Sequence, residues 1–227
     1  MKNVLMTMVM LLICGCLYDN NDDGQYKIGV VADSNSVVVL DIRTSWVTVV
    51  ESSLPTVFAQ KNGARTEEPL AWQNGAVIGF SCVRPFDSQW GTIEVGVALA
   101  RQMVIYNAVD AIFLAVGTND LEGDLATPEQ VLQCYKDVKA VADEANIAFF
   151  VATTPPVYDP FPDAASWNVT IDALNELVRE NFDPRFIVDF HDGFTPEMYL
   201  DGDGRHLNDI GQQLRAQRAQ TVLGALE

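Results

Sequence analysis

From residue 27 onward, unbroken apolar runs of strand length alternate with stretches whose apolar positions recur every three or four residues. The strand-like runs are KIGVVA (27–32), GAVIGF (75–80), DAIFLAVG (110–117), IAFFVATTPP (147–156) and FIVDF (186–190). Their apolar residues are consecutive rather than alternate, which predicts strands covered on both faces. TSWVTVVESSL (44–54) has apolar residues at 46, 47, 50 and 54 and stops at Leu54-Pro55, so it predicts a helix. KNGARTEEP (61–69) reads as a loop, and TIEVGVALARQMVIYN (92–107) has helical spacing with small residues for close packing. Thr127 and Pro128 supply a cap and a first-turn proline to PEQVLQCYKDVKAVADEA (128–145). SWNVTIDALNELVREN (166–181) and NDIGQQLRAQRAQTVLGAL (208–226) complete the alternation. The pattern predicts a five-stranded parallel sheet between helices, as one α/β domain spanning 27–227 without an internal repeat, linker or membrane-length apolar span.

The first 26 residues follow another rule. MKNVLMTMVMLLICGC has one basic residue, Lys2, then an apolar run too short to cross a bilayer comfortably, the layout of a secretory signal. Ile13-Cys14-Gly15-Cys16 resembles the bacterial lipobox, which implies that residues 1–15 are removed and that Cys16 is lipidated. Cys14 departs from the usual small residue at the second lipobox position. The polar, acidic residues 16–26 then form a tether that holds the domain clear of the lipid. This predicts export to a bacterial cell envelope, periplasmic or surface-facing, with the lipid as the sole membrane contact. Asp19, Asn21, Asp23 and Gly24 match half of an EF-hand loop, but its twelfth position is Val30, which excludes calcium there.

Charge narrows the partners. A formal net charge of -17 and a pI near 4.3 repel nucleic acid and anionic membrane surfaces. Loss of residues 1–15 removes only Lys2 and leaves -18. Once Cys14 and Cys16 are set aside, Cys82 and Cys134 remain, as a pair in an oxidising compartment or as two free thiols.

Parallel sheets collect functional groups at the carboxyl edge of their strands. There the chain places ADSNS (32–36) after the first strand and VGTND (116–120) after the third. ADSNS is compatible with a plain Asx turn or with a nucleophilic Ser34, and VGTND with a β-turn or with a side-chain donor at Asn119. A serine nucleophile needs a base and an orienting acid. There are two histidines. His206, in DGDGRHLND, has Asp203 three residues before it, a spacing that lets the carboxylate bond one ring nitrogen while the other faces a cleft. His191, beside the fifth strand, reads as a structural or rim residue. Oxyanion donors are available in the Ser34 and Gly79 main-chain N–H groups and the Asn119 amide.

ADSNS, NGAVIG, VGTND and DGDGRHLND, in that order, resemble the four blocks of the SGNH hydrolases, also called the GDSL esterases and lipases, across about Lys27 to Glu227. The resemblance implies a three-layer α/β/α, flavodoxin-like sandwich and ester hydrolysis without metal or organic cofactor. It makes Ser34 the nucleophile, Gly79 and Asn119 oxyanion donors together with Ser34, Asp203 the orienting acid and His206 the base. Block two also aligns on Gly75, but NGAVIG keeps the family's Asn-to-Gly interval with Gly79. Ala32 stands where the family usually has Gly. Asn35 replaces the commoner Leu or Ile, as in the family's GDSN subset. Arg205, inside the Asp203–His206 interval, either pairs with an acid or touches substrate. Phe80, Phe86, Trp90 and Trp72 line a pocket for acyl or sugar groups, or pack the core and anchor loops. The expected substrate is a short-acyl ester, such as an acetyl ester, on a small molecule, glycan or cell-wall material. O-acyl transfer by the same site and a non-catalytic surface-binding lipoprotein are the alternative functions. A neutral imidazole base implies activity that falls as pH drops below roughly 6 to 7.

Overall fold

The computed structural model describes residues 27–36, 47, 57–59, 80–89, 91–107, 109–122 and 126–223. The signal and tether segments, Cys16, Trp72, Gly75, Gly79, Trp90, the 61–69 loop and all of the 44–54 helix except the helical Val47 lie outside these residues.

Among the described residues there are seven strands: β1 (Lys27–Ala32), β2 (Val57–Ala59), β3 (Pro85–Ser88), β4 (Gly91–Glu94), β5 (Ala111–Ala115), β6 (Ala148–Ala152) and β7 (Ile187–Val188). The helices are α1 (Val95–Asn107), α2 (Thr118–Leu121), α3 (Pro128–Ala145), α4 (Ala164–Asn181) and α5 (Asp209–Leu223). Five strands form an all-parallel sheet in the order β2-β1-β5-β6-β7. Counting only those five, the order is 2-1-3-4-5, the flavodoxin-like winding. Alternate residues of each strand face opposite layers. Val31, Ile112, Leu114, Phe149 and Val151 pack against α1, α3 and α4. Ile28, Val30, Phe113, Phe150 and Val188 pack on the other face against Ala216, Ala219 and Leu223 of α5. The central strands β1, β5 and β6 are therefore covered on both faces, which is why their sequences are continuously apolar.

Local rules set several boundaries. Thr127 caps α3 with a reciprocal capping box to Gln130, Pro128 occupies the first turn, and Asn146 ends the helix in the left-handed region. The predicted span 128–145 is the observed one.

Elsewhere the structure corrects the sequence reading. The strand beside β1 is Val57–Ala59, a three-residue apolar segment too short to carry a periodic signal. The predicted strand at 75–80 has only Phe80 among the described residues, and Phe80 is not in a strand. The helix predicted from residue 92 begins at Val95, because β-branched Thr92 and Ile93 pair with β3 in an antiparallel hairpin. Cys82 and Cys134 form a disulfide that fixes the segment before β3 to α3.

Candidate active site

β1 ends at Ala32 and the chain turns through one 3₁₀ turn, Ser34–Ser36. Asp33 makes that turn: its Oδ1 accepts the Asn35 N–H at 3.0 Å, and its carbonyl accepts the Ser36 N–H at 3.0 Å. The Asx turn and the buried serine at the carboxyl edge of the sheet are thus one feature. Beneath it, the Arg215 guanidinium stacks on the Phe190 ring at 4.3 Å and donates from Nη1 to the Asn35 carbonyl at 3.1 Å. Burial pushes the Asp33 carboxyl up, against the opposing pull of the Arg215 charge. Burial likewise lowers Arg215 to about 10, so it remains a cation at neutral pH.

The Ser34 Oγ lies 3.0 Å from His206 Nε2, although the two residues are 172 positions apart. His206 arrives on the loop before α5, at the carboxyl edge of the sheet. Its Nδ1 is 2.8 Å from Asp203 Oδ2. Asp203 Oδ1 accepts the main-chain N–H groups of Arg205 (2.8 Å) and His206 (2.9 Å), so the carboxylate both shapes the loop and orients the ring. Partial burial pushes the Asp203 carboxyl up, but the hydrogen bonds from the His206 ring and these two amides outweigh it and hold it below the usual carboxylate range. An ionised Asp203 makes Nδ1 the protonated ring nitrogen and leaves Nε2 to accept from the Ser34 hydroxyl.

Asn119 sits on α2 after β5, in a turn that only glycine can start: Gly117 has φ +129°, and a Cβ there would lie 2.9 Å from the Tyr135 hydroxyl. The Asn119 amide is held at both ends. Its Nδ2 donates to the Phe80 carbonyl at 3.0 Å, and its Oδ1 accepts from Arg205 Nη2. The same Arg205 nitrogen meets Glu122 Oε2 at 3.0 Å, and the guanidinium lies over the Phe161 ring at 5.6 Å. The acid-pairing alternative for Arg205 is the observed one. Gly79, the chain neighbour of Phe80, lies outside the described residues. Phe80 packs into the core, and the side chains of Phe86, Trp90 and Trp72 lie outside the described residues.

Four groups in and around the site escaped sequence reasoning. Asn35 is buried and bonds across to the His206 loop, and Arg215 supports the turn. Phe161 lies under Arg205. Asp120 Oδ1 accepts from Ser81 Oγ (2.8 Å) and the Val83 N–H (2.9 Å), while its buried Oδ2 has no partner. Arg215 left a signal, as an arginine on the helical face shared with Ala219, four residues on. His191 stands apart, with Nε2 2.9 Å from Asp172 Oδ1 and Nδ1 3.2 Å from Asp192 Oδ1, as a rim residue.

The fold is that of the SGNH, or GDSL, hydrolases: an α/β/α sandwich with a flavodoxin-like parallel sheet. A carbohydrate esterase family 3 protein from Talaromyces cellulolyticus matches with a TM-score of 0.60 at 18% identity, over 89% of this chain and 98% of that one. A carbohydrate acetylesterase family member from Sinorhizobium meliloti matches with a TM-score of 0.62 at 14% identity, over 88% and 100%. A structure from Desulfitobacterium hafniense assigned to the lipolytic G-D-S-L family gives 0.59 at 14% identity, over 87% and 99%. No protein-family model matches the chain, and neither does any curated protein.

Proposed function

We propose that this protein is a serine ester hydrolase that acts through an acyl-Ser34 intermediate. The observation that carries the reading is the continuous chain Ser34 Oγ–His206 Nε2, His206 Nδ1–Asp203 Oδ2, with contacts of 3.0 and 2.8 Å. Ser34 attacks the ester carbonyl as its proton passes to His206 Nε2. The Ser34 N–H, the Asn119 amide and the Gly79 N–H stabilise the oxyanion. Collapse of the tetrahedral adduct breaks the C–O bond to the alcohol, which leaves with the proton from Nε2. Water then attacks the acyl-enzyme, gives its proton to the same nitrogen, and releases the acid and the free serine.

The substrate we assign is a short-acyl ester, acetyl above others, on a carbohydrate or cell-envelope polymer. Two of the structurally similar proteins are a carbohydrate esterase and a carbohydrate acetylesterase family member, and no long apolar lid segment interrupts residues 27–227 of the sequence. We further propose export and lipidation at Cys16, on the strength of the lipobox-like ICGC. The Cys82–Cys134 disulfide fits that compartment, since such bonds persist where conditions are oxidising. Incubation with a serine-directed phosphonate, followed by mass mapping, tests the central claim. Label on Ser34, and loss of p-nitrophenyl acetate turnover in Ser34→Ala, are the expected results. Label elsewhere, or full turnover by the variant, overturns it.

A further inference from the structure

The ring of His206 is oriented by Asp203, but both belong to the same loop. That bond sets the ring against its own backbone and does not set where the loop stands relative to Ser34. A second device is needed to hold the two loops at a fixed distance, and the structure contains one in Asn35.

Asn35 is 1% exposed, and its side-chain amide reaches across to the main chain on either side of His206. Oδ1 accepts the Leu207 N–H at 3.0 Å, and Nδ2 donates to the Arg205 carbonyl at 3.4 Å. One planar amide thus grips the acceptor before the histidine and the donor after it, as a neighbouring β-strand would. Its own backbone is anchored independently. The Asn35 N–H donates to Asp33 Oδ1, and its carbonyl accepts from Gln212 Nε2 at 2.9 Å and Arg215 Nη1 at 3.1 Å. Both of those donors stand on α5, the helix that the His206 loop enters. The nucleophile turn, the base loop and α5 therefore meet at one residue adjacent to Ser34.

Resting on the assignment of Ser34 and His206 above, we infer that Asn35 is a positioning residue that sets the Ser34–His206 contact by clamping the His206 backbone. Asn35 acts through another group. It shapes the transition state without contributing to substrate affinity, and its loss falls on kcat rather than on KM. Displacement of a reacting group by about 1 Å costs on the order of 100-fold in rate.

Two variants and one control test this with p-nitrophenyl acetate and the serine phosphonate. Asn35→Leu keeps the volume and removes both cross-loop bonds. We expect kcat to fall by about 100-fold with KM unchanged, and the rate of Ser34 phosphonylation to fall in parallel. Asn35→Asp keeps an acceptor for the Leu207 N–H but turns an oxygen toward the Arg205 carbonyl and adds a negative charge near His206. We expect a smaller loss of kcat, and the acid limb of the kcat/KM profile to move to higher pH. A folded Asn35→Leu with wild-type kcat, or with its loss confined to KM, overturns the role. If Asn35→Leu shows no cooperative melt, Asn35→Asp decides: an acid limb and kcat like the wild type overturn the role, and a displaced limb with reduced kcat supports it. Ser34→Ala separates the two claims. An inert Ser34→Ala beside a fully active Asn35→Leu removes the clamp alone, whereas an active Ser34→Ala removes the nucleophile assignment and the clamp with it.

Discussion

The side-chain amide of Asn119 donates a 3.0 Å hydrogen bond to the main-chain carbonyl of Phe80, across 39 residues of sequence. That bond joins the turn after β5 to the segment that carries the second glycine-rich block. The same segment is held again one residue later by Asp120, through Ser81 and Val83, and once more by the Cys82–Cys134 disulfide. A stretch that lacks regular structure is thereby fixed at successive residues, the preorganisation that the proposed oxyanion role would require.

Asn119→Ala removes one proposed oxyanion donor and the tie to Phe80 together. The expected result is a loss in kcat of about 100- to 1000-fold with little change in KM. Steady-state kinetics on p-nitrophenyl acetate checks it, and a loss expressed mainly in KM would count against an oxyanion role.

Arg205 is bonded to both Asn119 and Glu122, so its removal frees one end of the Asn119 amide. A hydrogen bond to a charged group contributes about 1.5–3 kcal/mol, so Arg205→Ala should lower kcat by about tenfold or more. Glu122→Gln, which leaves Arg205 on Asn119, should cost much less. Equal losses in both variants would show that the ion pair, not the amide contact, is what matters.

Asp203→Asn places an NH₂ group against His206 Nδ1 or surrenders the two main-chain N–H groups that Oδ1 now accepts. In a Ser-His-Asp template the wrong tautomer costs about 10⁴-fold in kcat. The linkage has a definite sign. Because hydrogen bonds hold the Asp203 carboxyl below its ordinary range, its contribution to stability is present above the unfolded value and lost as pH falls through the folded one. Urea midpoints should therefore show the Asp203→Asn deficit at pH 7 and its shrinkage under strong acid.

Asp120 works in the opposite direction. Burial raises it to about 6 despite the Val83 and Ser81 hydrogen bonds. The folded state binds this proton more tightly than the unfolded chain, so the charged form costs stability above pH 6 and the cost disappears as pH falls toward 4. Asp120→Asn should keep both bonds to Oδ1 and raise stability at pH 8 by up to about 3 kcal/mol, with no gain near pH 4. Denaturant curves at the two pH values check this. A variant less stable at pH 8 than the wild type would show that the carboxylate is ionised and needed there.

Reduction of Cys82–Cys134 opens a loop whose ends are 52 residues apart. Chain entropy puts the loss at about 4 kcal/mol, so the melting temperature should drop clearly in reductant and in Cys134→Ser. Identical melts with and without reductant would sink the structural role of the bond.

The amino-acid sequence by itself determined the layers and the candidate chemistry. A strand buried on both faces must be apolar at every position, so KIGVVA and DAIFLAVG announce a covered parallel sheet without reference to any partner. Thr127, Pro128 and Gln130 specify the start of α3 within four residues, because capping is a local hydrogen-bond problem. Ser34, Asn119, Asp203 and His206 were nameable because the strand ends and the Asp-to-His spacing place them, and the four ordered blocks supply the rest. Tertiary structure decided what depends on distant pairing. Val57–Ala59 became a strand because Lys27–Gly29 offered it an edge. Thr92 left the helix because Asp87 faced it. Cys82 met Cys134 because α3 crosses behind the segment. Asn35 looked like one more polar turn residue until the loop 172 positions away came within reach of its amide. Contacts of that kind leave no periodicity or local composition behind them, since the energy lies in a relation between segments and not in either segment alone.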